Sequence, residues 1–125
     1  MSDTMYDWLG GEPTVRALVD RFYDLMDSDS EVATIRAMHK ADLSPMRQSL
    51  FEYLSGWLGG PALFIQKRGS PCIAKAHKPF QIDEAATQQW MKCMGQAMID
   101  VGIDDKYRQM LEPAFGRVAD ALKNS

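Results

Sequence analysis

The sequence is poor in cysteine and histidine, with two of each among 125 residues. Cys72 and Cys93 make no disulfide framework and supply too few ligands for a structural zinc site. They also lack CxxC spacing, and neither has a setting that would stabilise a thiolate, which weakens the alternative of a thiol redox protein. Two reduced, partly buried thiols are the simpler interpretation.

Long apolar runs and an excess of positive charge are also absent. No stretch approaches the roughly 20 apolar residues that cross a bilayer, and "MSDTMYDWLGG" lacks the basic-then-apolar order of a secretion signal. The net charge of −3 argues against nucleic acid, because phosphate backbones require a concentrated basic surface. We therefore expect a cytoplasmic protein with neither nucleic acid nor a membrane as its partner.

The alternating pattern of β-strands is missing, as are repeats and linkers, which predicts a single all-α domain over residues 1–125. One predicted helix covers "EPTVRALVDRFYDLM", and a second has Ser44 as its N-cap and ends at Gly59-Gly60-Pro61. A third follows Asp83 and ends at Gly102, and the last runs from Asp104 or Asp105 to Lys123 with a kink at Pro113. Each carries an apolar stripe at three- and four-residue steps, which in the last comprises Met110, Leu111, Phe115, Val118 and Leu122.

Large, polarizable side chains are abundant: nine Met, five Phe, four Tyr and three Trp. They can fill an irregular core or line a pocket for a large apolar molecule. The span from Pro61 to Ile82 is non-helical by pattern, apart from one turn around Ile73–His77, yet it is rich in apolar residues. An ordered apolar span of that length implies that something lies beneath it.

His77 lies in this span, in "AKAHKPFQI". One imidazole suffices as an iron ligand if the metal arrives inside a macrocycle. Phe80 could then lie against a flat apolar face, and the basic residues close in sequence suit the two propionates of a haem: Lys67, Arg68, Lys75 and Lys78. Taken alone, a histidine of this kind is ordinarily a surface or loop residue, and composition alone favours aromatic residues that fill the core.

Four motifs together resemble the truncated haemoglobins, and their group II in particular, over nearly the full length. "YDWLGGEPTVRALVDRFYDLM" has the Gly-Gly pair after a stub helix and the Phe-Tyr step, and "YLSGWLGGP" has the second pair. "RGSPCIAKAHKPFQI" resembles the loop with the axial histidine and Pro-Phe, and "WMKCM" resembles the tryptophan motif of group II. The resemblance implies a truncated globin fold, a two-over-two helical sandwich around haem b (iron protoporphyrin IX), in a monomer or weak homodimer.

The resemblance also assigns roles to residues. His77 becomes the iron ligand, and Tyr23 and Trp90 become hydrogen-bond donors to the bound ligand. His39 joins them if the alignment places it, rather than Met38, at the corner before the distal helix, and Met46 and Leu50 face the ligand from that helix. The implied haem contacts are His77, Phe80, Leu50, Leu54, Trp90, Met94, Lys67, Arg68 and Lys75.

The function implied is reversible binding of O2, CO or NO. Two or three hydrogen bonds to bound O2, each of roughly 1 kcal/mol or more, would slow its release. Slow release favours redox chemistry on O2, NO, nitrite or peroxide, or sensing, over oxygen transport. Peroxidase-like or NO/nitrite redox activity would need an electron donor that the sequence does not identify. His39 would make ligand affinity or release depend on pH. The alternative is a cofactor-free helical interaction module, in which His77 is a loop residue.

Overall fold

The computed structural model describes residues 4–28, 36, 42–63 and 84–122. Within them lie five multi-residue helices and no strand: α1 (Met5–Leu9), α2 (Glu12–Ser28), α3 (Ser44–Trp57), α4 (Glu84–Asp100) and α5 (Asp105–Leu122). The all-α class is confirmed. None of the helices in these ranges is long and apolar enough to cross a membrane.

The packing follows from the apolar stripes of the helices. α2 packs against both α3 and α4, and α5 packs against α4, so that two helix pairs meet through α2 and α4. Val15, Leu18, Val19 and Phe22 on α2 are almost fully buried, as the three- and four-residue spacing predicted. This is the two-over-two arrangement that the resemblance to truncated haemoglobins implied.

The prediction for the buried face of α5 was wrong in one residue, because Met110 is 56% exposed. A helix turns about 100° per residue, which places Met110 well away from Phe115, whereas Leu111 and Ala119 lie on the same side as Phe115 and are buried with it. Helix α5 continues through Pro113, and the kink at this proline stays a prediction.

Helix α3 begins one residue earlier than expected. Leu43, not Ser44, occupies the N-cap position and makes no side-chain hydrogen bond there. The backbone N–H of Ser44 instead donates to Oδ1 of Asp42, at 3.0 Å. The carboxylate of Asp42 thus provides an acceptor that Ser44 was expected to provide, and the helix extends by one position.

The glycine pair that ends α3, Gly59 and Gly60, also lies against helix α1. Gly59 has a φ of +96°, and Gly60 donates its N–H to Ser55 O at 2.7 Å, which closes the helix with a left-handed residue. The N–H of Tyr6 donates to Leu58 O at 3.0 Å, and its ring lies directly over Gly60. The second glycine is therefore required by the close approach of an aromatic ring.

Gly60→Ala is expected to lower the free energy of unfolding by about 1–3 kcal/mol, a typical range for overpacking. The added Cβ would lie 2.5 Å from Cδ2 of Tyr6, so α1 has to move. Gly116→Ala is the matched control, because nothing lies within 4 Å of the added methyl group and alanine favours a helix. Urea unfolding of both variants checks this, and equal stabilities would contradict it.

Candidate functional site

Tyr23 lies on the buried side of α2, with only 6% of its surface exposed. Its ring packs edge-on against Phe22, with a centroid distance of 5.0 Å. From sequence alone, a tyrosine beside the apolar stripe could equally extend to the surface. The structure instead places it within the core cluster.

Burial determines the protonation state of this phenol. Desolvation raises the pKa of Tyr23 well above its ordinary value, and the charge of Arg47 opposes this only in part. The hydroxyl therefore stays protonated at neutral pH and retains a hydrogen to donate.

The raised pKa predicts a loss of stability in alkali. Below pH 10 or so the phenol is protonated in both the folded and the unfolded state, whereas above it only the unfolded state ionises. The free energy of unfolding of the wild type is thus expected to fall relative to that of Tyr23→Phe, by up to about 1.4 kcal/mol per pH unit. Urea unfolding of both proteins between pH 8 and 11.5 measures this, and parallel pH profiles would contradict it.

Trp90 lies on α4, half-buried, between two phenylalanines. Its ring meets Phe22 at 5.5 Å and Phe115 at 5.7 Å, both edge-on, and Phe115 stacks on Trp57 at 4.7 Å. The ring of Phe22 thus contacts both Tyr23 and Trp90. Packing brings these two predicted ligand donors to the same aromatic ring, although they are far apart in sequence.

The remaining described candidates differ in burial. Met46 and Leu50 on α3 are half-buried and packed against the core, as Trp90 is. Leu54 and Met94 are almost fully buried within the core. All four lie on α3 and α4, and their contact with a haem stays a prediction.

Arg47 was missed by the sequence analysis. It projects from α3 to α2, where Nη1 donates to the backbone O of Asp20 at 3.0 Å and Nη2 donates to Oδ1 of Asp24 at 2.7 Å. Its guanidinium carbon lies 5.9 Å from the centroid of the Tyr23 ring. Asp20 and Asp24, four residues apart on one helix, signal a carboxylate pair, but nothing local in the sequence identifies their partner.

A second polar connection joins the same two helices. Nη1 of Arg16 donates to Oε1 of Gln48 at 2.9 Å, and Gln48 donates in turn to the buried Glu52 at 3.0 Å. The guanidinium of Arg16 also lies 3.8 Å from the centroid of the Phe51 ring. These contacts hold α3 against α2 at a second position, in addition to the one where Arg47 binds Asp20 and Asp24. The placement of Met46 and Leu50 on α3 therefore depends on both Arg16 and Arg47.

Several predicted site residues lie outside the described part of the chain. They include the expected iron ligand His77 and the third expected donor His39. The others are Phe80, Lys67, Arg68, Lys75 and Lys78, together with Cys72. The other cysteine, Cys93, is buried on α4, three residues after Trp90.

Comparison with known proteins gives consistent matches. A family model described as "Bacterial-like globin" matches residues 4–124. The chain is 32% identical over 108 residues to the group 2 truncated haemoglobin YjbI of Bacillus subtilis, covering 86% of this chain and 77% of that protein.

Two solved structures are similar over nearly the whole chain. The cold-adapted truncated haemoglobin from the Antarctic marine bacterium Pseudoalteromonas haloplanktis TAC125 has a TM-score of 0.94 and 41% identity, covering 98% of this chain and 99% of the other. The group II 2-on-2 haemoglobin from the plant pathogen Agrobacterium tumefaciens has a TM-score of 0.94 and 37% identity, covering 98% and 95%.

Proposed function

The chain belongs to the bacterial-like globin family, with group II truncated haemoglobins among its relatives, and from this premise we propose that it binds haem b through His77 and reversibly binds diatomic ligands at the iron. Globins use a haem to bind ligands. Membership of this family therefore does not support the alternative of a cofactor-free helical module. The match over residues 4–124 supports a single domain. We also propose that the protein is located in the cytoplasm and is a monomer or a weak homodimer.

The described side chains fit a haem chemically. A flat apolar macrocycle needs apolar walls. Helices α3 and α4 provide large side chains that pack against the core and keep part of their surface exposed: Met46, Leu50, Trp57, Trp90 and Met91. When bound, the haem supplies an iron centre that takes a diatomic ligand. His77 would hold the iron, and Phe80, Lys67, Arg68 and Lys75 would contact the macrocycle and its propionates.

The buried phenol of Tyr23 is the observation that carries the proposal. Its burial against Phe22 excludes water, and its raised pKa keeps the hydrogen in place. A neutral O–H in an apolar setting donates to the partly negative outer atom of a ligand such as O2 with little competition from solvent. Trp90, whose indole N–H can only donate, would add a second bond, and His39 a third.

The number of donors bears on the physiological role. Each hydrogen bond to the ligand contributes about 1 kcal/mol or more in an apolar pocket, and release slows about tenfold for every 1.4 kcal/mol. Slow release suits redox chemistry on O2, NO, nitrite or peroxide, or sensing, better than oxygen transport. Redox turnover would require an external electron donor.

Titration of the purified chain with hemin is expected to produce a Soret band with one haem per chain. Spectra of the ferric, ferrous and CO-bound forms then report the number of axial ligands supplied by the protein. A folded chain that stays colourless with hemin would overturn the proposed function. A six-coordinate ferrous spectrum without added ligand would instead show that a second side chain, such as Tyr23 or His39, binds the iron.

A further inference from the structure

Arg47 lies near the candidate ligand donor Tyr23, with its guanidinium carbon 5.9 Å from the centroid of the phenol ring. Its three hydrogen bonds reach two residues of α2: the backbone O of Asp20 at 3.0 Å, Oδ1 of Asp20 at 3.3 Å and Oδ1 of Asp24 at 2.7 Å. The side chain is 26% exposed, whereas the two carboxylates are 48% and 55% exposed. The guanidinium is thus held at a more buried position than the two carboxylates that it binds.

Tyr23 lies on α2 between the two residues that Arg47 binds. Asp20 precedes it by about one turn and Asp24 follows it directly, and the guanidinium carbon is 5.9 Å from the Tyr23 ring centroid. A cation over an aromatic ring is attracted to its face. It also polarises the phenolic O–H, which makes the hydroxyl a stronger donor, in agreement with the effect of the Arg47 charge on the Tyr23 pKa.

The position of Arg47 on α3 adds a geometric effect. It directly follows Met46 and precedes Leu50 by three residues, and both are predicted to face the ligand. A planar guanidinium that binds a backbone oxygen and two carboxylates allows little movement between the helices. The same side chain therefore fixes the helix that carries the apolar wall to the helix that carries the phenol.

We propose that Arg47 is a positioning residue for ligand binding, which holds α3 on α2 and orients and strengthens the Tyr23 phenol as a hydrogen-bond donor to the diatomic ligand. The proposal rests on the proposed function, because the hydrogen bond requires a ligand beside Tyr23. Arg47 acts through Tyr23 and not by contact with the ligand.

The test compares O2 dissociation from the ferrous haem protein in Arg47→Met and Arg21→Met. Arg21 is the matched control, since it also forms an ion pair between two helices, from α2 to Asp100 on α4 at 2.7 Å. Arg47→Met is expected to release O2 about three- to tenfold faster than the wild type, whereas Arg21→Met stays within about twofold. Equal rates in the two variants would overturn the proposal.

Two further variants separate an effect through Tyr23 from a general loosening of the fold. Arg47→Met is expected to cause no further acceleration in the Tyr23→Phe background, and the same acceleration in both backgrounds would overturn the proposal. Arg47→Lys keeps the charge but not the forked geometry, and is expected to restore part of the slow release. The C–O stretching frequency of the CO complex is expected to rise in Arg47→Met and not in Arg21→Met.

A readout without ligand distinguishes failure of this inference from failure of the proposed function. In urea unfolding of the purified full chain, Arg47→Met and Tyr23→Leu are expected to couple by about two- to fivefold in the unfolding constant. Arg21→Met and Tyr23→Leu are expected to be additive. Additivity of the Arg47 pair would overturn the inference even if haem binds, whereas a chain that binds no haem would remove the proposed function and leave only the contact between Arg47 and Tyr23.

Discussion

Tyr23→Phe is expected to release O2 about tenfold or more faster than the wild-type protein. The substitution removes one hydroxyl and keeps the ring, so the edge-on contact with Phe22 at 5.0 Å is preserved. A hydrogen bond to a partly charged acceptor in an apolar setting contributes about 1.5–3 kcal/mol, and each 1.4 kcal/mol is a factor of ten in the rate. The effect on release is therefore large and the effect on folding at neutral pH is small.

Stopped-flow displacement of O2 by CO measures this rate directly. Tyr107→Phe is the matched control, because it removes the same hydroxyl from a tyrosine on α5 whose ring stacks on Trp8, with a centroid distance of 6.4 Å. Its rate is expected to equal that of the wild type. If Tyr23→Phe also releases O2 at the wild-type rate, Tyr23 does not bind the ligand and the role proposed for it is wrong.

The second large effect is expected in His77→Ala, which should no longer retain haem stably. Loss of a second-shell partner alone typically weakens metal binding 10- to 100-fold. Loss of the iron ligand itself is therefore expected to accelerate haem dissociation by more than ~100-fold. The rate of haem transfer to an excess of a haem-scavenging protein measures this, and added imidazole is expected to slow the loss.

The sequence offers a complete control for this experiment, since its only other histidine is His39. His39→Ala is expected to retain haem with a wild-type Soret band, because a donor on the ligand side does not hold the iron. Retention of haem by His77→Ala and its loss by His39→Ala would reverse the two assignments. Retention by both variants would show that His77 is not required to hold the haem.

Much of the fold could be predicted because it depends on neighbours in the sequence. Pro45 lies in the first turn of α3, and Gly59 and Gly102 end helices with positive φ. The stripe from Val15 to Met26 is buried where its period placed it, apart from the half-buried Leu25. Helix ends and amphipathic faces require only a few adjacent residues. Met110 shows where such a prediction fails, because an apolar side chain at the edge of a stripe can be either buried or exposed to solvent.

The site was predicted less completely. Tyr23 and Trp90 were named from a family resemblance, but no local pattern told a buried phenol from an exposed one. Arg47 gave no signal, since its partners Asp20 and Asp24 lie more than 20 residues away on another helix. An ion pair between two helices exists only after their apolar stripes have packed and brought the side chains into reach.

The sequence by itself thus determined the principal helices, most of their ends and buried faces, and the types of side chain available to a haem, but not the N-cap of α3 or the exposed position of Met110. Only the tertiary structure decided that Phe22 contacts both Tyr23 and Trp90, that Phe115 joins Trp90 to Trp57, and that Arg47 reaches the ring of Tyr23. The physical reason is the range of the forces involved. Backbone hydrogen bonds and caps act over a few residues, whereas side-chain packing and burial depend on which helices meet in space.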